Sequence, residues 1–525
     1  MSGLIGFLRR ITGDERGNTA IIFALSILPV MLLVGAAVDL SGMHGKRSSL
    51  QSALDAAALA AAKMPYNSSD ADVIETATNF ANANYSGKIN NLQVDRTDDS
   101  VIVNGESPAE LIFLSGFGFG DKSVSTTAVA TRGAHKIEVV MVLDNSGSMR
   151  GNKLVSLKRS AKALVETLTQ ADPEPGMVKI GLVPFTAAVN VGAQHRNSDW
   201  IDHRDRADQH DELFDSDLNR FDLFDMLDRP WAGCVETREY PYDVTDELPR
   251  TSSPDTLFQP YFAPDEPDYD GYYPNNYMLD WPCSEKRGNS YRRCERDHPE
   301  PWWHGSTNFY ALKAAQLYSE KYQEGDVYNR NSPAFGGVKV GPNFMCDSEP
   351  LTPMTENFRD MVDSIHHMKA DGNTNVHEGV AWGWRLLSPS APFTEGAAYD
   401  DEETKKFLIL LTDGANNINA RYNHNGSIYS PYGFAYAGRF DDTPNSTYEI
   451  RKEMDSRTEE TCENAKATGI TVFTIAFDVN DDDIEDLMKG CASGENRYFL
   501  SPSTSDLEVT FEAIANEITE LRLSQ

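Results

Sequence analysis

An uncharged stretch near the N-terminus constrains this chain more than any other feature of its sequence. Residues 19–38, TAIIFALSILPVMLLVGAAV, contain no Asp, Glu, Lys or Arg. Twenty helical residues rise about 30 Å, which is the thickness of the hydrocarbon core of a bilayer. We therefore predict a transmembrane helix over 19–38, preceded by a cytoplasmic leader of residues 1–18. The alternative is a signal peptide that is cleaved before Val38.

The cysteines indicate the compartment of the remaining chain. All six follow the apolar stretch, and their even number without a C-x-x-C pair favours disulfides in an oxidising compartment over a zinc site. Sequence alone leaves 15 pairings open for six cysteines. The pairing we expect is Cys283 with Cys294, Cys462 with Cys491, and Cys234 with Cys346.

Acidic residues dominate the composition. The chain has 80 Asp and Glu against 47 Lys and Arg, a formal net charge of -33. Most of such a surface repels a phosphate backbone, so we exclude nucleic acid as a partner.

Residues 39–134 have the composition of a helical stalk followed by a small α+β region. The stretch 41–63 is rich in Ala and Leu and is predicted to continue the membrane helix outward, with bends at Gly42 and Gly45. A second helix is predicted over 70–86, and β-branched residues that alternate with polar ones predict strands beyond it. A long N-terminal helix followed by a small α+β head is a pilin-like plan.

From residue 135 onward, apolar strands alternate with amphipathic helices. Near-continuous apolar strands separated by helices indicate an α/β domain with a doubly wound, mostly parallel sheet that is covered on both faces. The predicted strands are 136–144, 178–189, 405–414, 470–477 and 497–502. The predicted helices are 152–170, 355–369, 376–387, 448–467, 483–490 and 505–522.

A long insertion interrupts this domain of residues 135–525. Residues 195–345 are rich in Asp, Tyr, Trp and Pro, and a connection that long needs a structure of its own or a function. Its aromatic content argues against disorder. We predict an inserted subdomain over 195–345 that its cysteines help to order.

The segment DNSGSM, residues 144–149, follows the first of these strands. It is neither a phosphate-binding G-x-x-x-x-G-K-[ST] loop nor a G-x-S-x-G nucleophile elbow, and no base for nucleophilic attack is visible. One carboxylate and two hydroxyls, from Asp144, Ser146 and Ser148, are hard oxygen donors that suit Mg²⁺, Ca²⁺ or Mn²⁺. The segment therefore predicts a divalent-cation site.

D-x-S-x-S after a strand resembles the first segment of the metal-ion-dependent adhesion site of von Willebrand factor type A domains. Two later segments also match: Thr374 opens a predicted helix in ADGNTNVHEGV, and Asp413 ends a predicted strand in LILLTDGANN. The resemblance implies that Ser146, Ser148 and Thr374 bind the metal through hydroxyls, while Asp144 and Asp413 bind it directly or through water. It implies Mg²⁺ as the expected cation, and a carboxylate of a partner protein as the last ligand.

The N-terminal sequence RRITGDERGNTAIIFALSILPVMLLVGAAVDLSG resembles Tad-type (tight adherence) proteins of the TadE/TadG group, most closely TadG-like members that carry a von Willebrand factor A domain. Related pseudopilins are cut after a Gly and need a Glu five residues on, whereas here Ile22 stands at that distance from Gly17. This difference favours a permanent anchor. The resemblance implies a bacterial inner-membrane protein with a periplasmic bulk, which helps to assemble or attach a Flp-type pilus and docks a pilus or envelope component.

Two other functions use the same residues differently. A secreted or surface adhesin would bind its ligand through the same cation, whereas a metal-dependent hydrolase would need a general base that no motif supplies, so we expect no enzyme.

His377-Glu378 lacks the second His of H-E-x-x-H, because residue 381 is Ala, and is predicted to be a surface pair near the metal loop. The acidic run 478–486 is predicted to cap the following helix.

Overall fold

The computed structural model divides the chain into two compact units, one made of the described residues up to 131 and the other of those from 135 to 522. Each unit has its own hydrophobic core. The residues that the structure describes are 15–64, 68–97, 100–120, 122–131, 135–170, 175–207, 209, 213–214, 218–268, 273–324, 340–437, 439–440 and 446–523.

The first unit begins with α1 (Glu15–Ala62), a single helix of 48 residues. Its stretch Ile22–Ala62 is long and apolar enough to cross a membrane. α1 remains helical through Gly42 and Gly45, the two positions at which bends are predicted. A glycine weakens a helix by only about 1 kcal/mol relative to alanine, and the Ala-rich turns beyond these two positions are buried in the core of the unit.

The rest of the first unit packs on the C-terminal half of α1. It contains α2 (Asp70–Asn84) and the strands β1 (Asn90–Arg96), β2 (Ser100–Ala109) and β3 (Lys122–Thr131). The strands form an antiparallel sheet in the order β1-β2-β3. Small side chains of α1 allow this close packing, and the buried ones include Ala53, Ala57 and Ala61.

The second unit is built on a six-stranded mixed sheet in the order β6-β5-β4-β7-β8-β9. The five strands β5, β4, β7, β8 and β9 are parallel to one another, whereas β6 at the edge of the sheet runs antiparallel to β5. The strands are β4 (Lys136–Asp144), β5 (Val178–Phe185), β6 (Thr352–Thr355), β7 (Thr404–Thr412), β8 (Thr471–Phe477) and β9 (Tyr498–Ser501).

Helices follow most of these strands, and the described part of the insertion contains four more. The helices outside the insertion are α3 (Asn152–Gln170), α8 (Phe358–His367), α9 (Val376–Leu387), α10 (Thr447–Ala467), α11 (Asp482–Cys491) and α12 (Thr504–Leu523). Those of the insertion are α4 (Arg220–Met226), α5 (Gly288–Asp297), α6 (Phe309–Leu317) and α7 (Lys321–Glu324).

Both faces of the sheet are covered. Val139 and Met141 of β4 join one core with α3, α8 and α12, while Val140 and Val142 join a second core with α9, α10 and α11. A strand buried on both faces needs apolar residues at consecutive positions, which explains the uninterrupted apolar run of β4. The predicted α/β fold is thus confirmed, with a sheet that is mixed because of β6.

The insertion is ordered in its described parts by disulfides and an aromatic core. Its side chains extend the core on the α9 and α10 side of the sheet, and a smaller cluster surrounds Trp281 and Trp303. The expected pairing of the cysteines is confirmed. The disulfides are Cys234–Cys346, Cys283–Cys294 and Cys462–Cys491.

Candidate functional site

The candidate site lies at the carboxyl ends of the two central strands. Asp144 is the last residue of β4, and Asp413 follows the last residue of β7. Because β4 and β7 are parallel neighbours, their carboxyl ends lie side by side. Asp144 is fully buried and Asp413 is 8% exposed. The fold therefore brings two carboxylates together at one edge of the sheet.

Hydrogen bonds fix the carboxylate of Asp144 in the loop after β4. The Ser146 N–H donates to its Oδ1 over 2.7 Å, and the Thr412 hydroxyl donates to its Oδ2 over 2.7 Å. The loop then forms a short 3₁₀ turn, and the hydroxyls of Ser146 and Ser148 lie 2.9 Å apart. Both hydroxyls predicted from DNSGSM are thus adjacent to each other beside Asp144.

Ser148 and Gly414 connect this loop to the other predicted residues. The Ser148 hydroxyl donates to Oδ1 of Asp413 over 2.5 Å. A Cβ placed on Gly414 would lie 3.9 Å from Ser148 Oγ and 4.0 Å from Thr374 Oγ1, so both hydroxyls border the space next to this glycine. The structure therefore brings Thr374 to the same place as the residues of the first and last segments.

Backbone contacts position the loop that carries Thr374. The Gly147 N–H donates to the Gly372 carbonyl over 3.0 Å, and the Asp371 N–H donates to the Asn145 carbonyl over 2.9 Å. Gly372 has a φ of +70°, a conformation that favours glycine. The next residue after Thr374, Asn375, caps α9 by accepting from the Glu378 N–H. The loop is thereby held between the DNSGSM turn and the start of α9.

The charges of the site favour a cation. Burial and the charge of Asp413 raise the pKa of Asp144 to about 6. Lys153 of α3 donates from Nζ to Asp413 over 2.9 Å and lies 3.0 Å from an oxygen of Asp478. Although burial opposes its charge, these two carboxylates raise the pKa of Lys153. Because Lys153 is shared between Asp413 and Asp478, its single positive charge does not fully neutralise the negative charges of Asp144 and Asp413.

The chemistry of the donors fits a hard divalent cation. Two carboxylates and three hydroxyls supply oxygen and no nitrogen or sulfur, which suits Mg²⁺, Ca²⁺ or Mn²⁺ and not zinc. Within the described part of the chain, no group of three or more His, Cys, Asp and Glu side chains is arranged to hold a metal. A cation at this site would therefore depend on the hydroxyls of Ser146, Ser148 and Thr374.

The prediction that His377 and Glu378 form a surface pair is wrong. Both are buried, with exposed fractions of 0% and 1%. His377 Nδ1 lies 2.5 Å from the Tyr432 hydroxyl, and the Trp382 Nε1–H donates to Glu378 over 2.9 Å. Burial lowers the pKa of His377 well below its usual value. The physical reason is that α9 is covered on every side, so that all of its side chains are buried.

Two other sequence features have clear outcomes. The predicted capping by the acidic run 478–486 is confirmed, because Asp481 accepts from the Asp483 N–H at the start of α11. Lys153 was not predicted as part of the site. Its position in the first turn of a helix that follows DNSGSM is the only sequence signal that could have indicated it.

Comparisons with known proteins give one match in sequence and several in structure. Residues 17–64 match the family model described as putative Flp pilus-assembly TadE/G-like. No curated protein matches the chain. The N-terminal segment is therefore similar to pilus-assembly proteins of the TadE/G type, and this match covers the apolar helix.

Similar solved structures include domains of pilus proteins. The vWF domain of the type V pili tip protein Mfa5 from Porphyromonas gingivalis is 11% identical, with 75% of this chain and 97% of that chain covered and a TM-score of 0.33. The pilus adhesin SpaC from Lactobacillus rhamnosus GG is 12% identical, with 82% of this chain and 34% of that chain covered and a TM-score of 0.32. The adhesive tip pilin GBS104 from Streptococcus agalactiae is 10% identical, with 73% and 100% covered and a TM-score of 0.33. Because these TM-scores lie below 0.5, the structural likeness carries no argument about function.

Proposed function

We propose that this protein is a membrane-anchored component of Tad/Flp pilus assembly or attachment that binds a partner protein through a divalent cation. We propose Mg²⁺ as the cation, with Ca²⁺ and Mn²⁺ as the alternatives that suit the same oxygen ligands. Its ligands are Asp144, Ser146, Ser148, Thr374 and Asp413. The single observation that carries the proposal is the convergence of these side chains, from three separate segments, at the carboxyl ends of β4 and β7.

The composition of the site supports docking over catalysis. When bound, the cation supplies a positive charge that neutral hydroxyl ligands do not cancel, so it can accept a carboxylate from a partner as a further ligand. Asp144 and Asp413 would hold the cation, while Lys153 offsets part of the negative charge of Asp413. We therefore expect the partner, a pilus or envelope component, to present an Asp or Glu at its docking surface.

Two features support an anchor with the bulk of the chain in the periplasm. The match to TadE/G-like proteins covers residues 17–64, and the helix Ile22–Ala62 can cross a membrane. Three disulfides in the second unit fit an oxidising compartment. Together they favour the bacterial inner membrane with residues beyond the span on the periplasmic side.

Cation binding can be tested on the full chain in lipid nanodiscs by thermal unfolding with MgCl₂ or with EDTA. We expect Mg²⁺ to raise the melting temperature of the wild type, because a ligand that binds only the folded state stabilises it. Ser148→Ala should remove this shift. Ser160→Ala is the control, because it removes the same hydroxyl from a serine of α3, outside the site, and this variant should keep the shift.

Docking can be tested by crosslinking in intact cells with and without a chelator, followed by identification of the proteins lost from the complex. The double variant Asp144→Ala with Ser146→Ala should lose the same proteins without a chelator, together with piliation. Unchanged capture and piliation in this variant would refute the docking role. A mature N-terminus at Val38 on protein found outside the cell would refute the anchor.

A further inference from the structure

The loop between β2 and β3 exposes an unusual amount of apolar surface. Residues 111–120, LIFLSGFGFG, carry no charge. The exposed fraction is 75% for Ile112, 49% for Phe113, 49% for Phe117 and 53% for Phe119. Soluble surfaces rarely group large apolar side chains in this way, so a contiguous patch of them marks a contact with a partner or a membrane.

Asp39, one residue beyond the predicted membrane span, holds this loop against α1. Its carboxylate accepts from the N–H groups of Ile112 over 2.9 Å, Phe113 over 3.1 Å and Leu114 over 2.8 Å. The start of the 3₁₀ turn Leu114–Phe117 is therefore fixed to the end of the apolar segment.

Gly35 brings the loop onto the apolar segment itself. A Cβ at Gly35 would lie 2.7 Å from Cβ of Phe113, so only glycine allows this ring to pack here. Gly35 and Asp39 are four residues apart and share one face of α1, and both are buried. Most other side chains described from 22 to 40 are exposed. The loop thus covers one side of the helix just inside the predicted boundary of the membrane.

This position sets the depth of the loop. Gly35 lies three residues before the end of the span at 38, which corresponds to about 4.5 Å along the helix axis. Further out, Lys46 is exposed and donates from Nζ over 3.2 Å to the carbonyl of Pro108, near the end of β2. Apolar residues at the boundary with a lysine beyond them fit a membrane interface, because a long basic side chain near the end of a span keeps its charged end in the polar region.

We propose that residues 111–120 insert into the outer interface of the bilayer, with Ile112, Phe117 and Phe119 in contact with the lipids. This inference rests on the proposed membrane anchor. It adds a second membrane contact to the first unit, so that its sheet is held to the lipid surface by a loop as well as by the helix.

The backbone of the loop is suited to this environment. Polar backbone groups at membrane depth need partners other than water. The N–H groups of Gly116, Gly118 and Phe119 donate to carbonyls within the loop. The N–H groups of residues 112–114 donate to the carboxylate of Asp39. Hence the loop can leave water without exposing these donors.

The test uses the full chain in nanodiscs of phosphatidylethanolamine and phosphatidylglycerol, with one added cysteine that carries a fluorophore. All six native cysteines are paired in disulfides, so only the added thiol reacts. Phe117→Cys tests the loop and Leu25→Cys the anchor. Val129→Cys is the control, because Val129 is also an exposed apolar residue but lies far along β3 from the loop. Lipids with brominated acyl chains serve as the quencher.

We expect the probe at 117 to show about half or more of the quenching at 25, and the probe at 129 to show almost none. Adding Asp39→Ala to the labelled Phe117→Cys variant should reduce the quenching at 117, because the loop loses its attachment. Quenching at 25 but not at 117 would overturn this proposal alone, and would indicate a protein partner if 117 crosslinks to one in cells. Absence of quenching at both 25 and 117 would overturn the anchor and this proposal together.

Discussion

Removal of the Cys234–Cys346 disulfide should destabilise the second unit more than removal of Cys283–Cys294. The first closes a loop with a sequence separation of 112 and the second one of 11. The chain-entropy relation gives about 4.8 kcal/mol for the longer loop and about 2.8 kcal/mol for the shorter one at 25 °C. The expected difference in the free energy of unfolding is therefore about 2 kcal/mol.

The two disulfides are well matched for this comparison. Cys234 and Cys283 are both fully buried, while Cys346 and Cys294 are 6% and 7% exposed. Replacing each pair with alanines removes similar amounts of buried sulfur, so packing losses largely cancel. What differs is the number of conformations that the unfolded chain regains.

Urea unfolding of the full chain in detergent, followed by tryptophan fluorescence, measures this difference. All seven tryptophans lie between residues 200 and 384, so the signal reports on the second unit. Equal or larger destabilisation by loss of Cys283–Cys294 would refute the reasoning. The bridges would then act mainly on the folded insertion and not on the unfolded chain.

Three further predictions concern the second unit. Gly383→Ala should cost about 1–3 kcal/mol in thermal or urea unfolding, because the added Cβ would lie 2.4 Å from Cγ2 of Val142. Glu138→Ala should cost about 3–5 kcal/mol in the same assay, because the buried Lys406, 2.5 Å from Glu138, loses its counter-charge. Burial lowers the pKa of His424 to about 4, so near pH 5 the unfolded state binds a proton that the folded state does not bind. Urea unfolding should therefore show the free energy of unfolding falling by up to about 2 kcal/mol from pH 7 to pH 5. His424→Gln should weaken this pH dependence.

Matched controls separate these effects from general ones. Gly490→Ala in α11 places a Cβ in open space and should be neutral or slightly stabilising, since alanine favours helices. Lys136→Ala removes a surface ion pair with Glu403 and should cost less than about 1 kcal/mol. A loss of 3 kcal/mol in either control would contradict the corresponding argument from burial.

The regular part of the fold follows from the sequence wherever one periodicity dominates. The predicted bounds of 136–144, 152–170 and 376–387 agree with β4, α3 and α9. β6 was missed because it has only four residues and includes Pro353. The strand predicted over 178–189 ends at Phe185, because the chain then folds back and pairs Phe185 with Val189.

The convergence of the site residues also follows from sequence, because parallel strands carry their carboxyl ends to one edge of the sheet. The role of Lys153 does not, since a lysine early in a helix commonly faces solvent, and here the loops of Asp413 and Asp478 enclose it. The burial of His377 depends on residues far away in the sequence that cover α9. Such contacts have no local signature.

The unbroken course of α1 has a mechanical consequence. The helix is about 72 Å long, and its last turns are part of the core of the first unit. It remains helical through Gly42 and Gly45, so in the membrane-anchored protein proposed above a pull on the head would be transmitted along the helix to its apolar half. The head would therefore tilt together with the helical segment that joins it to the proposed anchor, and a load on the head would change the angle of this segment at the membrane surface.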